Sequence, residues 1–357
     1  MRSVAPIAVS VLLALLVAAS EPRHRTAATV YDGPAAAAVT ATPDPRPMPR
    51  RTLAPTTTSL PPRWRASSTV STTTTTTHER RRGILWGIGD QLSSAVSTRI
   101  YRDAPVNMVT AWYNGPGDLG WMSGYQKGST MSDLYGRGKA IELIIWLGNQ
   151  TDYAISPQFL EDAGVLARTF RGNGPHHGRL YVVLFSELET YSSDPGYFAN
   201  LKRAYRQAMA VFHRENANAR VALGLGGYAW GSTPDRDLSF WDDAIRASDF
   251  TAVQAMQACD SKRDGQSVLV PQIRSSVRQL GTYGKPVMIS HFKLWGDPGC
   301  QAAAFGKFMR TVFTDSSVSA LTDDNLFAWN FMDDHYINDP GPTHETAKRL
   351  LAVYARR

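Results

Sequence analysis

Cysteine is scarce, with only Cys259 and Cys300 in 357 residues. Two cysteines leave room for one bridge at most, and an even pair in an exported domain reads as a disulfide rather than a metal site. Long apolar runs are scarcer still. Val9 to Ala19, behind Arg2 and ahead of Ala18-Ala19-Ser20, is the longest. It is short of the about 20 apolar residues that a membrane span needs, so residues 1–20 read as a cleaved signal peptide rather than an anchor. Metal-binding spacings of the HxH or HExxH kind are missing, and no metal or other cofactor is expected. The first apolar strand ends Gly87-Ile88-Gly89-Asp90-Gln91-Leu92 and lacks the third glycine of a dinucleotide fingerprint.

A charge excess is missing where it would matter. Residue 2 and residues 21–82 hold 11 of the 38 Lys and Arg but only 4 of the 31 Asp and Glu, which leaves 27 of each sign beyond them. The whole +7 therefore lies outside the folded part. That placement argues against a nucleic-acid partner and leaves the basic tail free to touch an acidic cell envelope.

What is present divides into two kinds of chain. Residues 21–82 are dense in Pro, Thr, Ala and Arg and close on a Thr run, Thr72 to Thr77. Such a stretch buries too little apolar surface to offset its ordering entropy, so it reads as a disordered linker. From Gly83 to Arg357 the pattern changes to short apolar runs alternating with helical periodicity. The runs fall at residues 84–89, 107–113, 141–147, 180–185, 220–225, 250–256, 286–290 and 326–331. The spacing predicts helices between them, clearest over 197–214, with a last helix over 343–354. Eight such units predict a single-domain α/β fold, a (β/α)8 TIM barrel, expected to be monomeric.

Function in such a barrel sits at the C-terminal strand ends. The residues placed there are Asp90, Asn149, Glu187, Glu189, Tyr228, Trp230, Gln257, His291, Lys293, Trp295 and Asp333, with Trp112, Trp146 and Trp329 near the ends of their strands. Carboxylates and aromatics dominate. Sugar rings stack on aromatic faces while their hydroxyls bond to carboxylates, amides and imidazoles, so a carbohydrate cleft is the economical reading. Tryptophan at a strand position can equally be barrel core. Glu187 ends the apolar segment Tyr181-Val-Val-Leu-Phe-Ser-Glu187, where partial burial would keep it protonated and fit for a general acid. Glu189 has the same strand parity and is a second candidate, or a group that tunes the first.

These residues resemble the clan A glycoside hydrolases, the retaining (β/α)8 enzymes that include β-mannanases, endoglucanases and galactanases. Ser186-Glu187 stands where that clan has Asn-Glu, its acid/base at the end of strand 4. The segment from Tyr197 to Trp230 is similar to the same region of the family 26, mannanase-type enzymes. Trp329, in Phe327-Ala-Trp-Asn-Phe331, resembles the clan's strand-8 tryptophan beneath the catalytic subsite. The clan's nucleophile is a Glu in a Lys-Pro-Val-x-Ile-x-Glu-Phe-Gly segment. Here the chain reads Lys285-Pro-Val-Met-Ile-Ser-His291-Phe-Lys293, with an imidazole in the nucleophile's place. The resemblance implies a polysaccharide hydrolase with Glu187 as acid and a second carboxylate moved elsewhere, and the signal peptide and linker add a secreted or envelope-associated place of action. Asp333, sharing parity with Trp329 and expected to point inward, or Glu189, would supply it. The other reading is a barrel that binds sugar without cutting it; a metal-assisted hydrolase using His291, His335, Asp333 and Asp334 is a third.

Overall fold

The computed structural model describes residues 83–357 except 90, 128–129, 173–177, 227–232, 234, 260–265, 297, 313, 333–334 and 356–357. At 127, 257–259, 266–270, 295–296, 298, 311–312, 315 and 335 it describes the backbone alone. Eight strands form: β1 (Leu85–Ile88), β2 (Met108–Tyr113), β3 (Ala140–Ile145), β4 (Leu180–Leu184), β5 (Ala219–Leu225), β6 (Thr251–Cys259), β7 (Val287–Gly296) and β8 (Leu326–Phe331). Each pairs in parallel with the next, and β8 pairs with β1 to close the barrel. The predicted (β/α)8 fold is the observed one. Among the described residues no helix is long and apolar enough to cross a membrane.

The helices start where the sequence marks them. Pro195–Glu215 is the longest. Pro195 opens it, and the Asp194 carboxylate accepts from the Gly196 and Tyr197 N–H groups, satisfying donors the helix itself cannot. Its stripe of Phe198, Leu201, Tyr205, Ala208 and Phe212 is buried against the barrel. The last helix runs Pro342–Tyr354, and its end returns to the start of the barrel through Ile84 N–H to Tyr354 O, 2.8 Å.

Strand alternation separates two apolar layers. Val109, Ala111 and Tyr113 of β2 join the helix-facing core, while Met108 and Trp112 fall in the barrel interior. The interior grades along its axis. At the N-terminal end Tyr181, Phe250 and Phe327 interlock, with ring centroids 5.4–5.7 Å apart. Small residues Ala222, Ala252 and Ala328 fill the middle. Nearer the C-terminal end the buried side chains turn polar, with Thr110, Glu142, Gln254, Ser290 and Asn330. That gradient makes one end of the barrel a plug and the other a place for chemistry.

Two strands run further than their apolar patterns. β6 and β7 stay paired as far as Cys259 opposite Gly296. Gln257, His291, Lys293 and Trp295 therefore lie within strands, not in loops beyond them. Backbone pairing carries the ladder on after the apolar run has stopped. β7 also carries a bulge, since Val253 pairs with Ile289 but Gln254 with His291.

Candidate active site

Two irregularities in the strand ends build the site. At the end of β4 the chain leaves extended geometry, and two non-glycine residues take the left-handed conformation, Phe185 at φ 61° and Glu187 at φ 60°. Such positions cost of order 1–3 kcal/mol each and persist only where their surroundings hold them. The Phe185 ring packs outward on Phe159 and Tyr191. Ser186 turns in against β5, where a side chain on Gly224 would meet the Ser186 Cα at 2.7 Å, so only glycine fits. Glu187 then emerges one-fifth exposed at the barrel mouth.

The β7 bulge is the second irregularity. Ile289 and Phe292 belong to the helix-facing core, so both residues between them, Ser290 and His291, turn inward. His291 is fully buried; its Nε2 lies 3.8 Å from Glu187 Oε1, and its ring meets Trp112 edge-on at 5.2 Å. Burial, reinforced by the Lys293 charge, holds the imidazole down to about 3, so it is neutral at ordinary pH. Ser290 Oγ sits 3.0 Å from His291 Nδ1 and 3.4 Å from Val253 O. A serine proton directed to that carbonyl leaves Oγ to accept from Nδ1–H, which turns the Nε2 lone pair toward Glu187.

The carboxyls respond to this enclosure. Burial first, then the like charge of Glu189, raises Glu187 to about 7, against weaker lowering by Lys293 and Trp146. Glu189 is also raised, chiefly by burial, although its Oε1 accepts from Gln254 Nε2 at 2.8 Å. A 3-10 turn, Leu188–Thr190, carries Glu189, so strand parity does not describe its position. Deeper in the barrel Glu142 is fully buried and raised well above the usual range by burial, its Oε2 accepting from Thr110 at 3.3 Å. Four further polar atoms around Glu187 are buried without a hydrogen-bond partner among the described residues: Ser186 Oγ, Trp112 Nε1, Gln254 Oε1 and His291 Nε2. Buried polar atoms are rarely left so, and here all four belong to residues that neighbour Glu187 or touch its neighbours.

The barrel thus brings together Glu187, Glu189, His291, Trp112 and Trp146 from the sequence-predicted set. Trp146 donates to Thr190 Oγ1 at 3.2 Å, beside Glu187. Asn149 lies exposed in the turn after β3. Asp90, Tyr228, Trp230 and Asp333 lie outside the described residues, as do the side chains of Gln257, Trp295 and Cys259. No cysteine among the described residues is free.

Trp329 needs correcting. It is fully buried in the helix-facing core against Phe292, Phe308 and Phe331, at centroid distances of 5.6, 5.8 and 6.0 Å. The parity argument for Asp333 fails with it, because Trp329 and Phe331 face outward while Asn330, bonded to Ser290 O at 3.0 Å, faces inward. Sequence reasoning also missed Gln254 and Ser290 as site residues, and Glu142. A carboxylate inside the apolar run Ile141 to Leu147 was the available signal for Glu142. Among the described residues no group of three or more His, Cys, Asp or Glu is arranged to hold a metal ion.

No protein-family model and no curated protein matches this chain. Solved structures do match in shape. An endo-β-1,4-mannanase from Thermotoga petrophila superposes at a TM-score of 0.56 and 11% identity, over 77% of each chain. GH26C from Muricauda sp. MAR_2010_75 gives 0.51 at 10% identity, over 76% of this chain and 86% of that one. GH5_18 from Streptomyces cattleya, in complex with GlcNAc, gives 0.51 at 9% identity, over 78% and 83%. At these identities the likeness is one of architecture, and the chain has the (β/α)8 barrel fold that these proteins share.

Proposed function

We propose that this protein is a glycoside hydrolase acting on a polysaccharide, with Glu187 as its general acid. The observation that carries the proposal is a carboxyl at the barrel's C-terminal end, raised to about 7 by burial and by Glu189, among buried polar atoms that lack partners among the described residues. A carboxylic acid tuned near neutrality can hold its proton until a leaving oxygen needs it. In the proposed reaction the Glu187 proton passes to the glycosidic oxygen as the bond from anomeric carbon to oxygen breaks. Water attacks that carbon, and its proton passes to the Glu189 carboxylate, which Gln254 holds in place. With neutral His291 at the strand-7 position, a carboxylate nucleophile is not available there, so this path inverts the anomeric configuration.

His291 favours a second reading, a barrel that binds glycan without cleaving it. Release of reducing ends from a panel of mannans, glucans, galactans and wall glycans separates the two. Hydrolysis with inverted product establishes the enzyme. Glycan binding without release establishes the binding barrel, and the absence of both overturns the carbohydrate reading.

Residues 1–20 as a signal peptide, and an envelope-associated or secreted site of action, belong to the same proposal, as does a Cys259–Cys300 disulfide. The backbone pairing of Cys259 with Gly296, four residues before Cys300, supports that bridge. Alkylation of the unreduced, denatured chain is expected to find no free thiol, and two labelled cysteines would remove the bridge.

A further inference from the structure

Resting on the same cleft, we propose that it takes an acidic glycan, and that Lys293 binds the carboxylate of a uronate residue. Phe292 and Leu294 both lie in the helix-facing core, so Lys293 between them points to the inner side of β7. It is half-buried at the barrel mouth, two residues beyond His291. Its charge is felt by both Glu187 and His291, so it belongs to the catalytic cleft and not to the outer surface. Among the described residues no carboxylate forms an ion pair with it.

A half-buried ammonium without a counter-charge among the described residues is costly to hold, and proteins ordinarily pair such groups. The neighbouring acids among the described residues do not fill the role. Glu187 is substantially protonated near neutrality, Glu189 is held by Gln254, and Asp235 pairs with Arg236 at 3.2 Å. His291, neutral, does not compete for an anion. The proposal seats a sugar ring against Glu187 with its C5 substituent turned toward β7. A carboxylate there meets Lys293 in a charge-assisted bond that a hydroxymethyl group cannot match.

The alternative is that Lys293 serves only to lower Glu187. Binding, measured by calorimetry on the full chain, distinguishes the two without relying on turnover. The probes are tetramers of (1→4)-linked galacturonate, glucuronate and mannuronate, each beside its carboxyl-reduced neutral form. Wild type is expected to bind at least one acidic tetramer about tenfold or more tighter than its neutral form. Lys293→Met should erase that difference, and Lys293→Arg, which keeps the charge, should preserve most of it. Equal or tighter binding of the neutral forms by wild type overturns the acidic-substrate inference alone. So does an equal loss for both forms in Lys293→Met. Absence of binding to either class overturns this inference and the carbohydrate reading with it.

Discussion

Glu187→Gln is expected to lower glycan hydrolysis by about a hundredfold to ten-thousandfold, the usual contribution of a positioned general acid. The amide keeps the shape of the side chain but cannot deliver a proton to the leaving oxygen. Wild-type activity should therefore fall as pH rises through about 7, where Glu187 loses its proton. The variant's residual rate should not follow that limb. A profile without a descending limb near 7, or a variant with full activity, would remove Glu187 from the acid's role.

The same substitution has a second readout, because enclosing the carboxyl opposes its ionisation. Glu187 is raised in the folded chain, so its favourable contribution is complete below about 4.5 and is lost as pH rises through about 7. The shift from 4.5 to about 7 corresponds to roughly 3 kcal/mol at high pH, and solvent at its one-fifth-exposed face reduces that. Glu187→Gln should thus be more stable than wild type at pH 8 and close to it at pH 4, as measured by urea denaturation. His291 acts in the opposite sense. Its pKa is lowered from 6.5 to about 3, so the stability of keeping it neutral is present above 6.5 and lost as pH falls toward 3. An acid lost to Gln that gains stability at high pH is the mark of a site organised for something other than stability.

The barrel was legible in the sequence because its strands are buried on both faces and read as continuous apolar runs between amphipathic helices. Glu187 was legible because a carboxylate at the end of such a run is conspicuous. What could not be read was the frame of each strand end. Parity assumes unbroken alternation, and both sides of this site break it. Phe185 and Glu187 take left-handed geometry at β4, and the β7 bulge turns Ser290 and His291 inward together. Gln257 draws attention in the sequence, and Gln254 does not, for a related reason. The apolar run 250–256 stops short of the end of β6, which makes Gln257 look like the strand end, while Gln254, hidden inside the run, is the amide that reaches Glu189. Functional sites are where local rules give way to tertiary packing, and these residues lie at the one end of the barrel whose interior turns polar.

Trp329 gives the sharpest separation between what its sequence context suggested and where it lies. A sugar platform beneath the catalytic subsite would make Trp329→Ala a binding defect in a chain of nearly normal stability. Buried among Phe292, Phe308 and Phe331, it should behave instead as core, and Trp329→Ala should cost about 3–5 kcal/mol of folding stability. Phe292 stacks on Phe308 at a centroid distance of 4.3 Å and immediately follows His291, so the cavity would also loosen the bulge that aims the imidazole. Some loss of activity is therefore expected in Trp329→Ala, and activity alone does not separate the two roles. Trp329→Phe does. It keeps an aromatic ring in the cluster and removes the larger indole, so a core residue predicts a smaller stability loss with KM unchanged. A rise in KM with full stability in that variant would return Trp329 to the cleft.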